Sequence, residues 1–405
     1  MKYRWELLLW LWLAFFFHQA DRQVFNVVLP VLGKELSLSG VQLGLVGSVF
    51  IATNALMVPI AGFLGDAYSR KRIIAISLFA WSLATFCTGF GAGLLYLIAI
   101  RGMATAAGEA FFFPSAVAML SAEHIETRAR ALSLFQTSVY VGLVASGWIG
   151  GTIAAQWGWR AVFWTFGACG LVLSVPVRMR LRDKRAEGAL DRVTIRPALR
   201  AILSTPTARF AALACSAMVF VNVGYLAWMP SYLYERFHLT LAQAGLYSML
   251  IHHVFAFFGV LLGGAMSDRL APVRPQVRLE LQAFALLAGS PFLYLLGRAS
   301  TELVVYGALA GFGFFRGLYD SNTYPAFYAV IAPRFHSAAS GLLIAFAFLV
   351  ASAAPVLLGK AKDSIGLAQG LSGLSFVYGI GALLAFWGAW KHFQTDFEWI
   401  KNNAP

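Results

Sequence analysis

Residues 62–72 read GFLGDAYSRKR, a run of small and charged residues between two long apolar stretches. A shorter version, GAMSDR, returns at residues 264–269. Asp66 of the first copy corresponds to Asp268 of the second, at an offset of 202 residues, about half of the 405-residue chain. The repeat predicts a chain built from two similar halves.

The composition is that of a membrane protein. Hydrophobic residues make up 59% of the chain and charged residues only 12%, about half of the roughly 25% typical of soluble domains. So few charges do not cover the surface of a soluble domain of this size, which excludes an ordinary soluble enzyme and a disordered chain. Stretches of about 20 apolar residues, enough to span a bilayer, recur twelve times, near residues 7–32, 41–64, 73–90, 92–120, 131–154, 161–179, 207–233, 243–267, 279–297, 302–330, 337–358 and 370–391.

One long connection divides the twelve stretches into six and six. It covers residues 180–206 and is basic and amphipathic, whereas the other connections are short. We therefore predict an all-α membrane protein with twelve transmembrane helices in two pseudo-symmetric six-helix bundles. The bundles are expected at residues 1–179 and 207–405, with 180–206 as a cytoplasmic linker. A duplicated six-span unit is the arrangement of secondary transporters built from parallel repeats.

The distribution of Lys and Arg predicts the orientation. With a cytoplasmic N-terminus, 22 of the 31 basic residues fall in inside segments, 6 in outside loops and 3 within spans. The positive-inside rule then places both termini in the cytoplasm. We expect the protein to reside in the cytoplasmic membrane. The net charge of +13 is explained by topology and by anionic lipid headgroups near the linker, so no nucleic-acid partner is expected.

Enzymatic and metal-binding functions find no support in the sequence. Cys87, Cys169 and Cys215 lie far apart in apolar stretches and form no CxxC pair, so no metal site, cofactor or disulfide framework is predicted. No Ser/His/Asp set or phosphate-binding loop is recognisable. The pairs Gly147…Gly151 and Gly307…Gly311 predict close helix packing, and Trp157, Trp159 and Trp164 predict anchors at the membrane interface.

The loop at residues 62–72, the twelve spans and the long central loop resemble the major facilitator superfamily. Gly62, Asp66, Arg70 and Lys71 match the family's loop pattern, whereas Ala67 and Ser69 depart from it. The second copy keeps Gly264, Asp268 and Arg269. The resemblance implies a gating role, in which charged residues latch the cytoplasmic helix ends together: Asp66, Arg70, Asp268 and Arg269.

Three further motifs point to subgroups of that family. Asp21-Arg22-Gln23, Gly108-Glu109-Ala110 and Gly158-Trp159-Arg160-Ala161 resemble the anion:cation symporters, which implies proton-coupled transport of a small organic anion such as a sugar acid or carboxylate. The first two motifs also resemble Spinster-type transporters, which implies a lysophospholipid or another amphipathic molecule as the alternative substrate. In either case the partners are a small molecule, the lipid bilayer and, for the first, a proton; the protein is expected to be a monomer.

One spacing departs from both subgroups. Glu109 follows Arg101 by eight positions, whereas in both groups the Glu of span four follows the Arg by seven positions. At 100° per residue, one extra residue rotates a side chain by a full helical step. Either span four contains a bulge, or one of the two residues does not occupy the family's position.

Six charged residues fall within predicted spans, three acids and three arginines: Asp21, Arg22, Arg101, Glu109, Arg316 and Asp320. A charge at that depth costs about 2.5–3.5 kcal/mol on insertion scales, so these residues must face one another or a polar cavity. We expect Asp21 and Glu109, with His18, to carry the coupling proton, because burial favours the neutral carboxylic acid. Arg22 and Arg101 are expected to switch between these acids and an anionic substrate; the alternative is a static network of salt bridges.

Span ten supplies a second polar group. Arg316 and Asp320 are four residues apart and share a helix face. With Asn322 and Tyr324 they are expected to bind substrate; the alternative is an ion pair that only packs the helix. Asn54, Gln136 and Tyr140 are further candidates for the cavity wall, although single polar residues also hold helices together.

Overall fold

The computed structural model describes residues 3–182 and 195–403, except for the side chains of residues 62, 63, 65–67, 129 and 403. All regular secondary structure in the described chain is helical. The first half contains α1 (Tyr3–Glu35), α2 (Gly40–Ala67), α3 (Arg70–Thr88), α4 (Leu94–Leu97), α5 (Ala106–Ala110), α6 (Phe112–Glu123) and α7 (Arg128–Arg180). The rest contains α8 (Ile195–Ser204), α9 (Pro206–Phe237), α10 (Leu241–Leu270), α11 (Val277–Arg298), α12 (Glu302–Asp320), α13 (Thr323–Tyr328), α14 (His336–Ala351), α15 (Ala354–Ser364), α16 (Leu367–Trp387) and α17 (Phe393–Asn403). Two π-helical segments, Ile98–Thr105 and Gly388–His392, and a 3-10 turn, Pro333–Phe335, complete it.

Nine helical stretches among the described residues are long and apolar enough to cross a membrane. One of them, Arg130–Arg180, is long enough for two spans. The helices α1 and α12 fall outside this set because polar residues interrupt them: His18 to Gln23 in α1, and Arg316 with Asp320 in α12. These two helices complete the twelve spans predicted from the sequence.

The chain forms two compact units. The first comprises Met1–Ala189, Leu226–Met249 and Pro355–Lys360, and the second comprises Leu190–Tyr225, Leu250–Ala354 and Ala361–Pro405. The core of the first unit gathers aromatic and aliphatic side chains of α1, α3, α6 and α7, among them Trp81, Phe112 and Phe135. In the second unit, α11 packs against α12 and α16.

A glycine turns the chain between the two spans of α7. Gly158 has φ +82° and ψ +166°, a conformation outside the helical region that side-chain-bearing residues rarely adopt. Two residues later, the guanidinium of Arg160 donates to the Glu35 carboxylate and to the Gly91 carbonyl, and it stacks over the ring of Trp159. The Trp159 indole also donates to Glu35, at 2.8 Å, and is buried. The prediction that Trp159 anchors the interface is therefore wrong; the indole fixes the turn to the end of α1.

Glu35 gives this turn a pH dependence. The hydrogen bond from Arg160 holds the pKa of the Glu35 carboxyl below its ordinary value, although burial opposes the shift. A lowered folded-state pKa stabilises the protein above the unfolded pKa of about 4.3, and that contribution disappears as the pH falls through the folded value. Because the pair is exposed, we expect Glu35→Gln to cost at most about 1 kcal/mol at neutral pH. Unfolding midpoints of the two proteins should converge on acidification; a constant difference would contradict the assignment.

Small residues allow close packing within the first unit. Gly147 on α7 and Gly245 on α10 lie so close that a Cβ on either would overlap the backbone of the other. Gly151 faces the first turn of α10 in the same way, which confirms the prediction from the Gly147…Gly151 pair. In the second unit, Gly311 lies against an aromatic ring, but Gly307 has open space where a Cβ would extend. Close packing therefore requires only one of the two glycines in the second predicted pair.

Candidate functional site

His18, Asp21 and Arg22 are three of the polar residues that interrupt the apolar surface of α1. His18 and Asp21 are buried, and Arg22 keeps 29% of its side chain exposed. Because successive residues are rotated by 100° around a helix, Asp21 and Arg22 point in different directions. Each of them therefore reaches a different partner on the fourth span.

The fourth span contains the bulge that the sequence left as one of two alternatives. Residues Ile98–Thr105 form a π-helical segment, followed by α5. In a π-helix the hydrogen bonds run from residue i to i+5, which accommodates an extra residue, and such bulges are frequent at functional sites. The Thr105 hydroxyl donates to the Ile100 carbonyl, five residues earlier, at 2.9 Å. With the bulge in place, Arg101 and Glu109 both reach α1 despite their eight-residue spacing.

Asp21 and Arg101 form the deeper ion pair. Nη1 of Arg101 donates to Oδ2 of Asp21 at 2.8 Å, and Nη2 donates to the Asp21 backbone carbonyl at 2.6 Å. The Asp21 side chain is 4% exposed and the Arg101 side chain is 2% exposed. A guanidinium that binds both the carboxylate and the backbone of one residue is held in a fixed orientation.

Arg22 and Glu109 form the second pair. Nε of Arg22 donates to Oε2 of Glu109 at 2.6 Å, and the Glu109 side chain is fully buried. Arg22 is thus the most exposed charged residue of this cluster. The two pairs are formed by α1 and the fourth span alone, so the four residues predicted from the sequence do come together.

His18 completes the cluster from one turn earlier on α1. Its Nε2 lies 3.4 Å from the Glu109 backbone carbonyl and 3.7 Å from Oε2 of Glu109. The amide nitrogen of Gln19 lies 3.3 Å from Nδ1. An amide nitrogen only donates, so Nδ1 accepts and Nε2 carries the hydrogen. In this arrangement His18 contacts the proton-carrying candidate Glu109 directly.

Each acid of the cluster has one buried carboxyl oxygen that accepts no hydrogen bond from the described residues. Among the described residues, neither Oδ1 of Asp21 nor Oε1 of Glu109 accepts a hydrogen bond, and both atoms are buried. Leaving a buried charged oxygen unpaired costs free energy, and buried polar groups without partners are rare. A proton placed on either oxygen would leave the existing contacts to the arginines at Oδ2 and Oε2 geometrically intact.

Two aromatic rings that the sequence did not single out line the arginines. The Phe50 ring centroid lies 5.3 Å from the guanidinium carbon of Arg22 and 5.2 Å from that of Arg101. Phe25 lies 5.3 Å from the Arg101 guanidinium. Such contacts favour a desolvated cation. Phe25 follows Asp21 by one helical turn, which is a usable signal, but nothing in the sequence of α2 distinguishes Phe50 from other apolar residues.

The second unit holds a separate polar cluster on α12. Nη2 of Arg316 lies 3.3 Å from Oδ2 of Asp320, which confirms the predicted pairing along the helix. Nη1 of Arg316 lies 3.1 Å from Nε2 of His252 on α10. An arginine only donates, so Nε2 of His252 accepts and the imidazole is neutral, with its hydrogen on Nδ1. His252 therefore belongs to this cluster.

Several buried polar atoms around Arg316 have no hydrogen-bond partner among the described residues. They are Nε of Arg316, Nδ1 of His252, Oδ1 of Asn322 and the hydroxyls of Tyr319 and Tyr378. The Asn322 amide nitrogen is bound locally, by Ser321 and the Leu318 carbonyl. Tyr319 and Tyr378 were not predicted; Tyr319 adjoins Asp320 in the sequence, but Tyr378 is distant and carries no local signal. The cluster is suited to a small polar solute.

The other four predicted substrate-binding residues differ in their exposure and in their contacts. The Asn54 amide donates to the Ala106 carbonyl at 3.3 Å, so it joins α2 to the fourth span beside the ionic cluster. Gln136 and Tyr140 are exposed on α7. Tyr324 is exposed on α13, where its ring packs against that of Tyr328.

The predicted gating residues lie at helix ends. Arg70 opens α3, behind Ser69, whose hydroxyl caps the helix by accepting from the Arg72 backbone N–H. Asp268 and Arg269 are exposed in the last turn of α10. The side chain of Asp66 lies outside the described residues, and the gating role of these four residues stays a prediction.

The described part of the chain contains no group of three or more His, Cys, Asp or Glu side chains that could hold a metal ion. The three cysteines are free thiols.

Comparisons with known proteins agree with this architecture. The family model of the Major Facilitator Superfamily matches residues 11–355. Protein spinster homolog 1 of Xenopus laevis is 29% identical over 379 residues, which cover 85% of this chain and 70% of that protein. The 3-(3-hydroxy-phenyl)propionate transporter of Escherichia coli strain K12 is 28% identical over 374 residues, or 90% of this chain and 88% of that one.

A solved structure has the same fold. It is a bacterial homolog to the human lysosomal transporter Spinster, in an inward-facing and unoccupied conformation, with a TM-score of 0.88. The match covers 98% of both chains at 21% sequence identity. An identity that low supports the fold alone, and it confirms the all-α membrane fold predicted from the sequence.

Proposed function

Because the chain belongs to the Major Facilitator Superfamily, we propose that it is a proton-coupled secondary active transporter, which moves a small organic anion by alternating access. Family membership makes it a multi-pass membrane transporter of small molecules rather than an enzyme. The proton, the anion and the direction of the chain in the membrane are the proposed parts. Both termini are proposed to be cytoplasmic, in the inner membrane of a bacterial-type cell, with the protein acting as a monomer.

The observation that carries the proposal is the cluster between α1 and the fourth span. Its two arginines and two acids are charge-balanced, and each acid has one oxygen that accepts no hydrogen bond from the described residues. Arg22 is partly exposed, whereas Arg101 is buried. Intramembrane acids of this kind commonly serve proton relays. The cluster therefore offers one exposed cation for an anion and one buried acid for a proton.

A transport cycle follows from the Arg22–Glu109 pair. A proton on Glu109 removes the charge that Arg22 neutralises, and His18, 3.7 Å from Oε2, is placed to pass that proton. Arg22 then binds the carboxylate of the incoming anion, with its fork of donors matched to two oxygens. When the anion leaves, Arg22 returns to Glu109 and releases the proton. Asp21 holds Arg101 in place and is proposed as a second proton carrier.

The second unit contributes a further anion site in this proposal. Arg316 is bound on two sides, by His252 and Asp320, and its Nε is unpartnered within the described residues. Asn322 and Tyr324 are proposed to bind polar groups of the substrate near it, with Asn54, Gln136 and Tyr140 as further wall residues in the first unit. The charged residues at the helix ends are proposed to latch and release during gating: Asp66, Arg70, Asp268 and Arg269.

Substitution Glu109→Gln tests the proton role. In proteoliposomes, wild-type uptake of labelled 3-(3-hydroxyphenyl)propionate, a probe taken from the relative in Escherichia coli, is expected to rise with an inward proton gradient. The variant cannot exchange a proton at this position, so we expect it to retain exchange of internal for external probe but to lose at least about 90% of gradient-driven uptake. A tenfold fall in the rate of uptake corresponds to about 1.4 kcal/mol in activation free energy.

Glu35→Gln serves as the matched control, because it removes a carboxyl group outside the spans and should leave gradient-driven uptake unchanged. A Glu109→Gln variant whose uptake keeps the wild-type response to the gradient would contradict the proton role. A wild-type protein that moves the probe equally with and without the gradient would contradict coupling altogether.

A lysophospholipid is the second candidate substrate. The similarity to Protein spinster homolog 1 favours it, because the Spinster-type motifs in the sequence imply a lysolipid. Labelled lysophosphatidylcholine in the same proteoliposomes distinguishes the two substrates. Uptake of lysophosphatidylcholine without uptake of any organic acid would replace the organic anion in the proposal.

A further inference from the structure

A basic cavity lies away from both ionic clusters, in the second unit. Its volume is about 350 Å³, within the range of roughly 300–1,000 Å³ found for small-ligand sites. The linker helix α8, the turn at residues 330–335 and the C-terminal helix α17 form its walls. The lining includes Arg200, Ser204, Thr205, Arg334, Phe335 and Trp399.

The described lining carries positive charge only. Arg200 and Arg334 both face the cavity, and no acid is among the residues that line it. The nearest acids of α17 are engaged elsewhere: Asp396 accepts the backbone N–H of Thr207 at 2.8 Å, and Glu398 accepts the Gln394 amide. The hydroxyls of Ser204 and Thr205 donate to the Ala201 carbonyl, so the two guanidiniums are the donors that match the oxygens of a phosphate group.

The surroundings of the cavity have the character of a membrane interface. One face of α8 buries Ala198 and Ile202, while Ile195, Leu199 and Leu203 form an exposed apolar stripe at i, i+4 and i+8. A short helix with an apolar stripe beside arginines lies in the plane of a bilayer surface. On the opposite wall, Trp399 is 61% exposed, and indoles favour the headgroup level of the bilayer.

We propose that this cavity binds the headgroup of an anionic phospholipid. The phosphate would lie between Arg200 and Arg334, with the acyl chains running along the apolar stripe of α8. A free phosphate ion would make no use of that stripe or of the indole. The charge distribution of the sequence predicts this end of the molecule to be cytoplasmic, where anionic lipids attract basic segments.

The test is lipid binding to the full-length protein, measured as bound phosphatidylglycerol by native mass spectrometry during a titration. We expect one saturable phosphatidylglycerol site that phosphatidylcholine does not fill. Arg200→Gln and Arg334→Gln should each weaken it about fivefold, the effect of roughly 1 kcal/mol per basic residue near a membrane. Arg196→Gln is the matched control, since Arg196 is exposed on the same helix but does not line the cavity.

Several results would overturn the proposal. If Arg196→Gln weakened phosphatidylglycerol binding as much as Arg200→Gln does, the attraction would be diffuse. If phosphatidylcholine filled the site equally well, the site would not select anionic lipids. If inorganic phosphate displaced the lipid at a matching concentration, the acyl chains would contribute nothing to binding. A second measurement does not depend on the arginine variants. Brominated phosphatidylglycerol should quench indole fluorescence more in the wild-type protein than in Trp399→Phe; equal quenching would also overturn the proposal.

Discussion

Substitution Arg101→Met is expected to destabilise the folded protein by about 3–5 kcal/mol, the largest stability effect that we predict. The substitution keeps the length and the apolar stem of the side chain but removes the cation that is bound to Asp21, leaving a carboxylate that is 4% exposed. Two hydrogen bonds, at 2.8 and 2.6 Å, disappear with the guanidinium. Unfolding midpoints of the detergent-solubilised protein, at a pH well above that of free carboxylic acids, measure the loss.

A second variant separates the charge from the packing. Asp21→Asn is nearly isosteric, so in the Arg101→Met background it removes the unpaired negative charge without opening a cavity. We expect the double variant to recover more than half of the stability that Arg101→Met loses, because both charges of the pair are then gone and no unpaired charge stays buried. Asp21→Asn alone should be clearly destabilising, since it leaves the buried guanidinium with a neutral partner.

Arg160→Met is the control for this cycle. Arg160 also forms an ion pair with a residue of α1, but its side chain is 33% exposed and that of Glu35 is 51% exposed, so the loss should stay near 1 kcal/mol or below. A cost for Arg101→Met no greater than that of Arg160→Met would contradict the burial argument. A double variant that is less stable than Arg101→Met would also contradict it, because the pair would then stabilise the protein through packing rather than through charge.

Local features of the molecule were predictable from sequence, because each span contains its own signal. Hydropathy locates a spanning helix without reference to its neighbours, and two residues four apart on a helix must share a face, so Arg316 and Asp320 pair as expected. The cost of a charge in a bilayer also identifies which residues need partners. None of these features depends on which helix lies next to which.

Partner choice between helices was not predictable in this way. The sequence indicated that two acids and two arginines belong together, but not that Asp21 binds Arg101 while Arg22 binds Glu109. That assignment depends on the π-helical segment, which rotates Arg101 relative to Glu109, and no residue pattern marks a bulge uniquely. Phe50, which contacts both arginines, is an ordinary apolar residue in its own helix. Trp159 was assigned to the interface for its residue type, yet its indole satisfies Glu35.

Substitution Arg22→Ala is expected to have the largest effect on transport. In the proposed cycle Arg22 is the cation that exchanges Glu109 for the anion, and its 29% exposed side chain is the only partly open charge of the first cluster as described. Loss of one charged partner in a desolvated pair costs at least about 2 kcal/mol of binding, or about 30-fold in affinity. The apparent KM for 3-(3-hydroxyphenyl)propionate uptake by proteoliposomes should rise by at least that factor.

Arg22→Lys distinguishes geometry from charge. A lysine keeps the positive charge but offers no planar fork, so we expect it to recover part of the affinity that Arg22→Ala loses and to remain weaker than the wild type. Recovery to the wild-type KM would show that charge alone suffices. A merely structural role for Arg22 predicts a different pattern, in which maximal rate and unfolding midpoint fall together while the KM stays constant.

Arg316→Ala decides between the two clusters as the principal anion site. Both arginines lie within spans and both are bound to an acid, but Arg316 also donates to neutral His252, which does not compete for its charge. If Arg22 is the principal site, Arg316→Ala should raise the KM less than Arg22→Ala does, and the double variant should show a nearly additive loss because the residues belong to separate clusters. If only Arg316→Ala raised the KM, the principal anion site would lie in the second unit. The role of Arg22 would then be limited to its ion pair with Glu109.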